Sequence, residues 1–565
     1  MPAEVPLYKR KRILVPAGLL FITGILLLLY HLATIVRPPE PADLSLLNRP
    51  VLNPDSGFLV CGDSWLKQGK SGLWELYLQG SPFDRGVANG KLTRQLLFEQ
   101  ESAFVRQIRE LVPSAFQRWF LKYFIYLFNR KMDRFLMDEF RQEIYGISLS
   151  ASDSFRFIGN AYRRMLNYHS AHDIGHALQE LGLVGCTSFA IWDEFTEDSA
   201  LMIGRNFDFY AGDDFAKIKI VCFEKPDHGY GFMMITWAGM IGCVSGMNDQ
   251  GLTVTINAAR SKIPFSARTP ISLLAREILQ YAATIGDAYR IAEERQTFIS
   301  ESILIGSGEE NRAAIIEKTP DGVALVESSQ HLLVCTNHFQ SSRFSSEPLN
   351  QQALQDQSSL YRYRRVIQDI THFSPLDESK AAMILRDRNG LNGSDIGMGN
   401  EKAINQLIAH HSVIFKPGDR LVWISTSPWQ IGEYVCYDLR KIFHTFAPLR
   451  KCMDITEEEL TIQADPFFGS AQYENFLRFR EMRAQLIRAL NQETAIGADT
   501  MFFAAFHSAN PRFYEVWSLS GDYYTMTGQR NQAQEYYRTA LTLEIPRWSE
   551  KEKIIRKLTE CSGKK

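Results

Sequence analysis

The chain has 565 residues, enough for about two to four domains, and its 45% hydrophobic content is ordinary for a protein with a packed core. Its 62 basic and 64 acidic residues nearly cancel. A nucleic-acid-binding surface needs a basic excess, so we expect no nucleic-acid partner.

The amino terminus predicts a membrane anchor. A basic tail, residues 1–12, ends in "YKRKR" and precedes an uncharged apolar run of 24 residues, Ile13–Val36. At about 1.5 Å per helical residue this run reaches across a hydrocarbon core of roughly 30 Å, and it lacks the small-residue cleavage site of a signal peptide. The positive-inside bias keeps the basic tail cytoplasmic. We therefore expect a single-pass membrane protein whose catalytic domain lies on the non-cytoplasmic side, in the periplasm if the source is Gram-negative.

Composition divides the rest of the chain into four regions. An extended, proline-containing linker, residues 37–60, follows the anchor. Residues 61–185 are predicted to be helical, because apolar residues recur at helical spacing in "FVRQIRELVPSAFQRWFLKYFIYLF". Residues 186–447 carry short strand-like runs punctuated by Gly, Asp and Asn, and residues 448–565 are again helical. This order predicts an α+β fold with a helical extension.

The carboxyl-terminal extension contains one partial repeat. Eight of its residues nearly follow tetratricopeptide spacing: Trp517, Gly521, Tyr524, Gly528, Ala533, Tyr537, Ala540 and Pro546. Ser520 stands where such repeats usually have leucine, and no second clear copy is present. A single tetratricopeptide-like unit and an ordinary helical hairpin both fit, and either could bind a protein partner.

Cys186 is the cysteine that points to chemistry. The eight cysteines show neither CxxC pairs nor metal-ligand spacing, so we expect no metal and no cofactor, while disulfide pairing outside the cytoplasm stays open. Cys186 follows Gly185 directly and opens the run "GCTSFAIW". A buried core cysteine is the ordinary alternative for such a residue.

A catalytic thiol needs a base and donors for the oxyanion. One source of the base is a histidine, and His169, His172 and His176 lie just upstream in "YHSAHDIGH", a pattern typical of a solvated helix. Their spacing would also permit a metal site, although no third type of ligand lies nearby. The other source is the α-amino group that Cys186 would carry once the bond before it is cut.

An ordered set of motifs favours the second source. "GCTSFAIW", "GRNFDF" and "GMIGCVSGMNDQGLTVTINAA" resemble, in this order and spacing, the penicillin acyltransferase-like and bile-salt-hydrolase-like (choloylglycine hydrolase) enzymes, which are N-terminal-nucleophile (Ntn) hydrolases. Upstream, "GSPFDRGVANG" and "EIYGIS" are similar to the acyltransferase group's pro-segment. Downstream, "LLVCTNHF", "SSLYRYRRV" and "AHHSVIFKPGDRLVWISTSPWQIGEY" extend the resemblance over about residues 60–445.

The resemblance implies a fold and an activation step. The fold would be a four-layer αββα sandwich, with residues 61–185 as the pro-segment and residues 186–447 as the catalytic domain. The chain would cut itself between Gly185 and Cys186, when the thiol attacks the Gly185 carbonyl and water resolves the thioester. Glycine suits that position because it has no side chain to block the attack.

The resemblance also implies roles for three charged residues. Arg205 would lie beside the Cys186 thiol and favour its anionic form. Asp208 would hold the new α-ammonium group by a charge-assisted hydrogen bond. Arg362 would be a second active-site arginine, although Arg364 and Arg365 are close enough to exchange roles with it.

Two asparagines complete the implied site. Asn257 in "TIN" and Asn337 in "CTN" match the family's amides that bind substrate and steady the oxyanion. Outside this set of motifs each would be interpreted as a turn residue.

These features predict an autoproteolytic enzyme that cleaves linear amide C–N bonds, or transfers the acyl group, through an acyl-thioester on Cys186. Acyl-coenzyme A is a cytoplasmic donor, so an external location favours hydrolysis. A membrane-anchored enzyme suits amphiphilic substrates such as N-acyl amino acids or lipid amides, and lipid esters stay open. The alternatives are a penicillin acyltransferase-type acyltransferase, a papain-like thiol enzyme without a chain break, and a catalytically idle membrane-anchored scaffold. The filled nucleophile, arginine, aspartate and asparagine positions argue against the idle scaffold.

Overall fold

The computed structural model of the protein describes residues 7–41, 43–170, 173, 185–209, 212–260, 262, 264, 266–356, 358–446, 448–496 and 499–563, with the backbone alone for residues 7–20 and 499. The strands are β1 (Leu52–Asp55), β2 (Phe58–Cys61), β3 (Ser64–Gln68), β4 (Trp74–Gly80), β5 (Thr187–Asp193), β6 (Ser199–Phe207), β7 (Ile220–Pro226), β8 (Phe232–Thr236), β9 (Ser245–Asn248), β10 (Leu252–Ala259), β11 (Ser300–Ser307), β12 (Arg312–Thr319), β13 (Gly322–Val326), β14 (Leu332–Cys335), β15 (His411–Lys416), β16 (Leu421–Ser425) and β17 (Tyr434–Asp438).

The helices follow the same chain order. They are α1 (Leu7–Thr34), α2 (Pro82–Leu92), α3 (Arg94–Leu111), α4 (Ala115–Phe128), α5 (Asp138–Ser148), α6 (Ala161–His169), α7 (Asp213–Lys217), α8 (Ile271–Tyr281), α9 (Ile285–Glu294), α10 (Pro348–Asp356), α11 (Ser359–Phe373), α12 (Glu378–Leu385), α13 (Leu439–Lys441), α14 (Ala471–Asn491), α15 (Asp499–Ala509), α16 (Tyr514–Met526), α17 (Arg530–Leu541) and α18 (Trp548–Cys561).

The described strands form two sheets. The large sheet has 11 strands in the order β1-β2-β3-β4-β7-β8-β9-β10-β11-β12-β13, and the small sheet has six in the order β14-β5-β6-β15-β16-β17. Neighbouring strands pair antiparallel except β4 and β7, which pair parallel. The α+β class predicted from the sequence is confirmed.

Alternating side chains tie the sheets to each other and to the helices. On β5, Ala190 and Trp192 join an apolar cluster shared with the large sheet, whereas Phe189 and Ile191 join a cluster with helices α11 and α12. This is the two-residue period of a strand buried on both faces. The other face of the large sheet packs against α2, α3, α5, α6, α8 and α9. The order of layers is therefore helices, large sheet, small sheet, helices.

The region before Cys186 contains strands as well as helices. Strands β1 to β4 lie within residues 52–80, where the sequence predicted a linker followed by a helical segment. They are four to seven residues long, and such short runs give a weaker periodic signal than the long helical pattern that follows them. The predicted helices α3, α4 and α5 are present.

Helices α2 and α5 touch at their backbones. A Cβ atom added to Gly86 would lie 2.2 Å from the Glu143 carbonyl oxygen, and one added to Gly146 would lie 2.6 Å from the Val87 nitrogen. These glycines belong to the motifs "GSPFDRGVANG" and "EIYGIS". The motifs therefore serve a close helix crossing.

The helical carboxyl-terminal extension predicted from the sequence is confirmed. Helices α14 to α18 share one apolar cluster, which also includes Leu407 and Trp429 from the region before the extension. Helices α16 and α17 form a hairpin in which Gly521 faces the Tyr537 ring. The tetratricopeptide-like assignment stays a prediction, because an ordinary hairpin has the same contacts.

Residues 1–6 of the predicted basic tail lie outside the described residues. Over the part of the chain that could be searched, no helix combines the length and the apolar character needed to cross a membrane.

Candidate active site

The register of the small sheet brings Cys186 and Asp208 together. Thr187 opposes Asn206, and Ser188 opposes Arg205, on strands β5 and β6. Gly185 and Cys186 precede β5, and Asp208 follows β6. The Gly185 backbone N–H donates to the Asp208 carbonyl at 3.0 Å, which continues the pairing beyond the ends of β5 and β6.

The Cys186 thiol is buried beside a positive charge. Its residue is 1% exposed, and Nη2 of Arg205 lies 3.9 Å from Sγ. Burial raises the pKa of the Cys186 thiol to about 12, against the opposing effects of the Arg205 charge and of a hydrogen bond from the Asp208 backbone. The thiol of the intact chain is therefore protonated at neutral pH.

The Asp208 carboxylate is buried, and the structure shows no hydrogen bond to it within the described part of the chain. Neither of its oxygens has a hydrogen-bond partner among the described residues, and the residue is 0% exposed. Burial raises the pKa of Asp208 to about 7, although Arg362 and Arg205 act to lower it. A buried, unsatisfied carboxylate is costly, so this site favours the arrival of a hydrogen-bonding cation.

Arg362 reaches the bond before Cys186. From helix α11, its Nη1 donates to the carbonyl oxygens of Gly185 and Cys186, each at 2.7 Å. The other two arginines of "YRYRR" point elsewhere: Arg364 is exposed, and Arg365 pairs with an aspartate 2.8 Å away. Of the three, Arg362 is the one that the structure brings to Cys186.

The two predicted asparagines are buried and hydrogen-bonded to neighbours of Cys186. Asn257 of β10 accepts a hydrogen bond from Ser188 Oγ at 2.9 Å and donates to the Cys335 carbonyl at 2.8 Å. Asn337 accepts from Nη2 of Arg362 at 2.8 Å and donates to the Ala258 carbonyl at 3.1 Å. Each amide nitrogen carries a second N–H. Each asparagine can therefore donate to one further acceptor.

Sequence reasoning missed the residues that hold Arg205. Its Nη1 donates to Ser245 Oγ, which lies 2.8 Å from His411 Nε2. His410 and His411 face each other through their Nδ1 atoms at 2.9 Å. Burial lowers the pKa of both histidines well below the ordinary value, so they are neutral. Ser245 and His411 therefore contact the guanidinium without adding charge.

Sequence reasoning also missed Gln406, whose Nε2 donates to the Gly185 carbonyl oxygen at 2.7 Å. Nothing in the surrounding "NQLIAHHS" marks this glutamine. It lies between α12 and β15, where the chain has no periodic pattern.

Of the three histidines upstream of Cys186, the structure describes His169. His169 is buried rather than solvated: its Nδ1 lies 2.8 Å from the Met165 carbonyl, and its Nε2 accepts from the Ile241 N–H at 3.0 Å. Burial lowers the pKa of His169 to about 4. Both ring nitrogens are occupied, so this residue has a structural role. His172 and His176 lie outside the described residues.

One group of metal-ligating side chains lies at the far end of β5. His331 Nδ1 is 2.6 Å from Glu194 Oε2 and 3.4 Å from Asp193 Oδ2. The group is remote from Cys186, because Asp193 is the last residue of the seven-residue strand β5, which Cys186 precedes, and such a strand is roughly 20 Å long. Its geometry is that of an ion pair, in which Glu194 raises the pKa of His331.

The central part of the chain is similar to a known family. Residues 195–426 match the family model described as "Acyl-coenzyme A:6-aminopenicillanic acid acyl-transferase". The chain thus carries a penicillin acyltransferase-like domain, and the resemblance predicted from the sequence is confirmed. The match begins after Gly185 and Cys186 and includes the other predicted site residues, Arg205, Asp208, Asn257, Asn337 and Arg362.

Two curated relatives are similar over part of the chain. An uncharacterised protein of Archaeoglobus fulgidus is 23% identical over 309 residues, which are 48% of this chain and 50% of that protein. "Protein dcd1B" of Dictyostelium discoideum is 22% identical over 271 residues, 45% of this chain and 51% of that protein. The chain spans about half the length of these relatives.

Two solved structures were also similar. The "N-acylethanolamine-hydrolyzing acid amidase (NAAA) ortholog" of Caenorhabditis elegans is 18% identical, covering 41% of this chain and 93% of that chain, with a TM-score of 0.31. A mutant of the "conjugated bile acid hydrolase from Clostridium perfringens" is 11% identical, covering 45% of this chain and 93% of that chain, with a TM-score of 0.32.

Proposed function

We propose that the protein is a self-cleaving cysteine Ntn hydrolase that cleaves linear amides through an acyl-thioester on Cys186. One observation carries the proposal: the buried Asp208 carboxylate, beside the Gly185–Cys186 bond, has no hydrogen-bond donor among the described residues. Cutting that bond creates an α-ammonium group on Cys186. The new cation would give Asp208 a charge-assisted hydrogen bond.

The first reaction is self-cleavage. Cys186 Sγ attacks the Gly185 carbonyl carbon, and the thiol proton passes to the amide nitrogen of Cys186 as the C–N bond breaks. Water then adds to the Gly185 thioester, the C–S bond breaks, and the products are a Gly185 carboxylate and a free amino-terminal Cys186. Arg362 and Gln406 already donate to the carbonyl oxygen on which negative charge would develop.

The second reaction is turnover of substrate. An α-amine with an ordinary pKa near 8 accepts the proton of its own thiol, and Asp208 holds that amine in place. The thiolate attacks the substrate amide, with the free N–H groups of Asn257 and Asn337 as candidate donors to the oxyanion. The amine leaves, and water releases the acid from the acyl-thioester.

Acyl transfer is the second candidate. The description of the matched family supports it, since an acceptor amine could replace water in the last step. We favour hydrolysis of amphiphilic acyl amides, because a catalytic domain outside the cytoplasm would rarely meet acyl-coenzyme A. Assays with a fatty-acyl amino acid, with and without a competing amine, separate the two outcomes by their products.

The decisive test is the mass of the purified full-length chain. We expect the wild type to give two chains, one ending at Gly185 and one beginning at Cys186, and Cys186→Ala to remain single. Cys436→Ala is the matched control, because Cys436 is also buried and free but lies on β17. An active wild type with an unbroken chain would contradict the proposal. A cut chain without amidase or acyltransferase activity would favour the idle scaffold.

Membrane attachment through residues 13–36 is part of the proposal. Tyr30 of α1 donates a hydrogen bond to the Tyr123 carbonyl of α4 at 2.9 Å, so the two helices are adjacent. Both carry exposed large apolar side chains, including Phe21, Leu26, Leu27, Phe116, Trp119 and Phe120. An apolar surface of this kind suits a lipid bilayer.

Fractionation tests the attachment. The full-length protein should sediment with membranes, and added protease should reach the catalytic domain only from the non-cytoplasmic side. Recovery as a soluble cytoplasmic protein would contradict the attachment and would remove the argument against acyl-coenzyme A.

A further inference from the structure

Gln406 is packed directly on the residue that self-cleavage would cut. The glutamine is 2% exposed, and its Nε2 lies 2.7 Å from the Gly185 carbonyl oxygen. That oxygen also accepts from Nη1 of Arg362 at 2.7 Å. A Cβ atom at Gly185 would come within 2.5 Å of Nε2, so a larger residue there would displace the Gln406 amide from its present position.

We propose that Gln406 is a catalytic residue for self-cleavage, forming with Arg362 the oxyanion hole of the Gly185–Cys186 bond. This inference rests on the proposed function. When Sγ adds to the Gly185 carbonyl carbon, the carbonyl π electrons move onto oxygen, where the amide N–H and the guanidinium stabilise them. As the C–N bond breaks, the thiol proton ends on the leaving amine and the carbonyl re-forms as a thioester.

The structure separates these donors from the predicted substrate donors. Asn257 and Asn337 donate to the carbonyls of Cys335 and Ala258, whereas Arg362 and Gln406 donate to the Gly185 carbonyl. Arg362 belongs to both sets, because its Nη2 also holds the Asn337 oxygen. Gln406 is therefore the residue whose removal should affect the self-cleavage step directly.

The test follows self-cleavage of the full-length chain over time after synthesis in a cell-free system. Gln406→Met keeps the length of the side chain and removes its donor. Loss of one oxyanion donor typically costs about 100- to 1,000-fold in rate, so we expect cleavage to slow by about that factor. Gln430→Met is the matched control, because Gln430 is also fully buried but its side-chain amide has no hydrogen-bond partner among the described residues. It should cleave at the wild-type rate.

Gln406→Asn keeps a polar amide, but its shorter side chain holds the amide farther from Gly185. If Gln406→Met precipitates, this variant tests whether the Gln406 amide acts in self-cleavage. It should also slow cleavage at least tenfold while retaining the wild-type melting temperature. Cleavage of a soluble Gln406 variant at more than a tenth of the wild-type rate would overturn the inference.

Hydroxylamine distinguishes an effect on thioester formation from an effect on thioester hydrolysis. It cuts a thioester rapidly, so it would restore the cleavage rate if Gln406 acted only after the thioester forms. We expect no restoration, because the oxyanion of the first addition is the one that Gln406 contacts. Restoration by hydroxylamine would overturn the inference. A wild type that never cuts itself would instead contradict the proposed function, so the two failures are distinguishable.

Discussion

Opposing effects control the charge of the Cys186 thiol. Burial raises its pKa, and the neighbouring Arg205 cation lowers it. In the intact chain the effect of burial is the larger, so the pKa of the thiol is raised. In the mature enzyme an α-ammonium would stand on the same residue, and two cations would then favour the thiolate.

We predict that Arg205→Ala raises the pH at which mature Cys186 is alkylated, because one of those cations is lost. The measurement is the rate of iodoacetamide reaction against pH. Arg364→Ala is the control, since Arg364 is exposed on α11. Exposed charges contribute only about 0–1 kcal/mol and should leave the alkylation curve unchanged. If the Arg205→Ala curve coincides with that of the wild type, Arg205 does not act on the thiol.

Asp208 makes the stability of the uncut chain depend on pH. Its pKa is about 7 in the fold against an ordinary 3.8, so the folded chain keeps a proton that the unfolded chain releases. The protonated Asp208 carboxyl group therefore contributes to the free energy of unfolding. This contribution is fully present below pH 3.8 and is lost as the pH rises to about 7. The loss is at most about 4 kcal/mol at 1.36 kcal/mol per pKa unit.

In the uncleavable Cys186→Ala background, we therefore expect Asp208→Asn to increase the free energy of unfolding at pH 8, with an advantage that shrinks towards pH 4. Urea titrations at several pH values measure this difference. In the self-cleaving chain the same substitution should instead reduce turnover by orders of magnitude, because it removes the charged partner of the α-amine. An advantage independent of pH would show that Asp208 is not the titrating group.

Most of the individual residues of the candidate site were predicted from the sequence. The motifs "GCTS" and "GRNFDF" predicted Arg205 and Asp208 as neighbours of Cys186, and the β5–β6 register explains their proximity. Gln406 was not predictable, because its contact with Gly185 spans more than 200 residues and no local pattern marks it. His169 was misjudged, since its short helix turns that residue inward against the core.

The helices before Cys186 depend on glycines at a backbone crossing. Gly86 of α2 and Gly146 of α5 leave no space for a Cβ atom, and the obstructing atoms belong to the backbone. Side-chain rotation cannot relieve such a clash, so the helices would have to separate.

We predict that Gly146→Ala destabilises the protein by about 3 kcal/mol, at the upper end of typical overpacking costs. Gly286→Ala on α9 is the control, because the nearest atom to its added Cβ is 3.8 Å away. The control should be neutral or slightly stabilising, since alanine favours helices by about 0.5–1 kcal/mol. Thermal unfolding of both variants checks the contrast, and equal melting temperatures would contradict the close crossing.

Element type was predictable where the periodic pattern was long. Helices α3 to α5 and the carboxyl-terminal helices follow sustained apolar spacing, and their existence was predicted. Strands β1 to β4 were not, because four to seven residues provide at most a few alternations. The missed strands form one end of the large sheet, so the error concerns the architecture of the region before Cys186.

The whole molecule is joined across the proposed cut. Strand β4 pairs in parallel with β7 over seven residues, from Trp74–Ile220 to Gly80–Pro226. The first four strands of the large sheet thus come from before Cys186 and the remainder from after it. Such a sheet cannot separate without breaking a full ladder of backbone hydrogen bonds.

A buried ionic network spans the same junction. Arg85 of α2 lies 3.0 Å from Glu143 and 3.2 Å from Glu224 of β7, and Glu224 lies 2.9 Å from Arg276 of α8. All four side chains are at most 1% exposed. Removing one partner of a buried ion pair typically costs 3–5 kcal/mol, because its counter-charge is left uncompensated.

We therefore predict that the two chains produced by self-cleavage stay together as one particle. In mild detergent they should co-elute on size exclusion and separate only in denaturant, after which the fragment beginning at Cys186 should aggregate because its sheet edge at β7 is exposed. Arg85→Met should lower the denaturant concentration at which the chains separate, whereas Arg106→Met, which removes an exposed pair with Asp214, should not. Separation of the wild-type chains in native buffer would mean that the region before Cys186 is released on activation, and that the large sheet of the mature enzyme begins at β7.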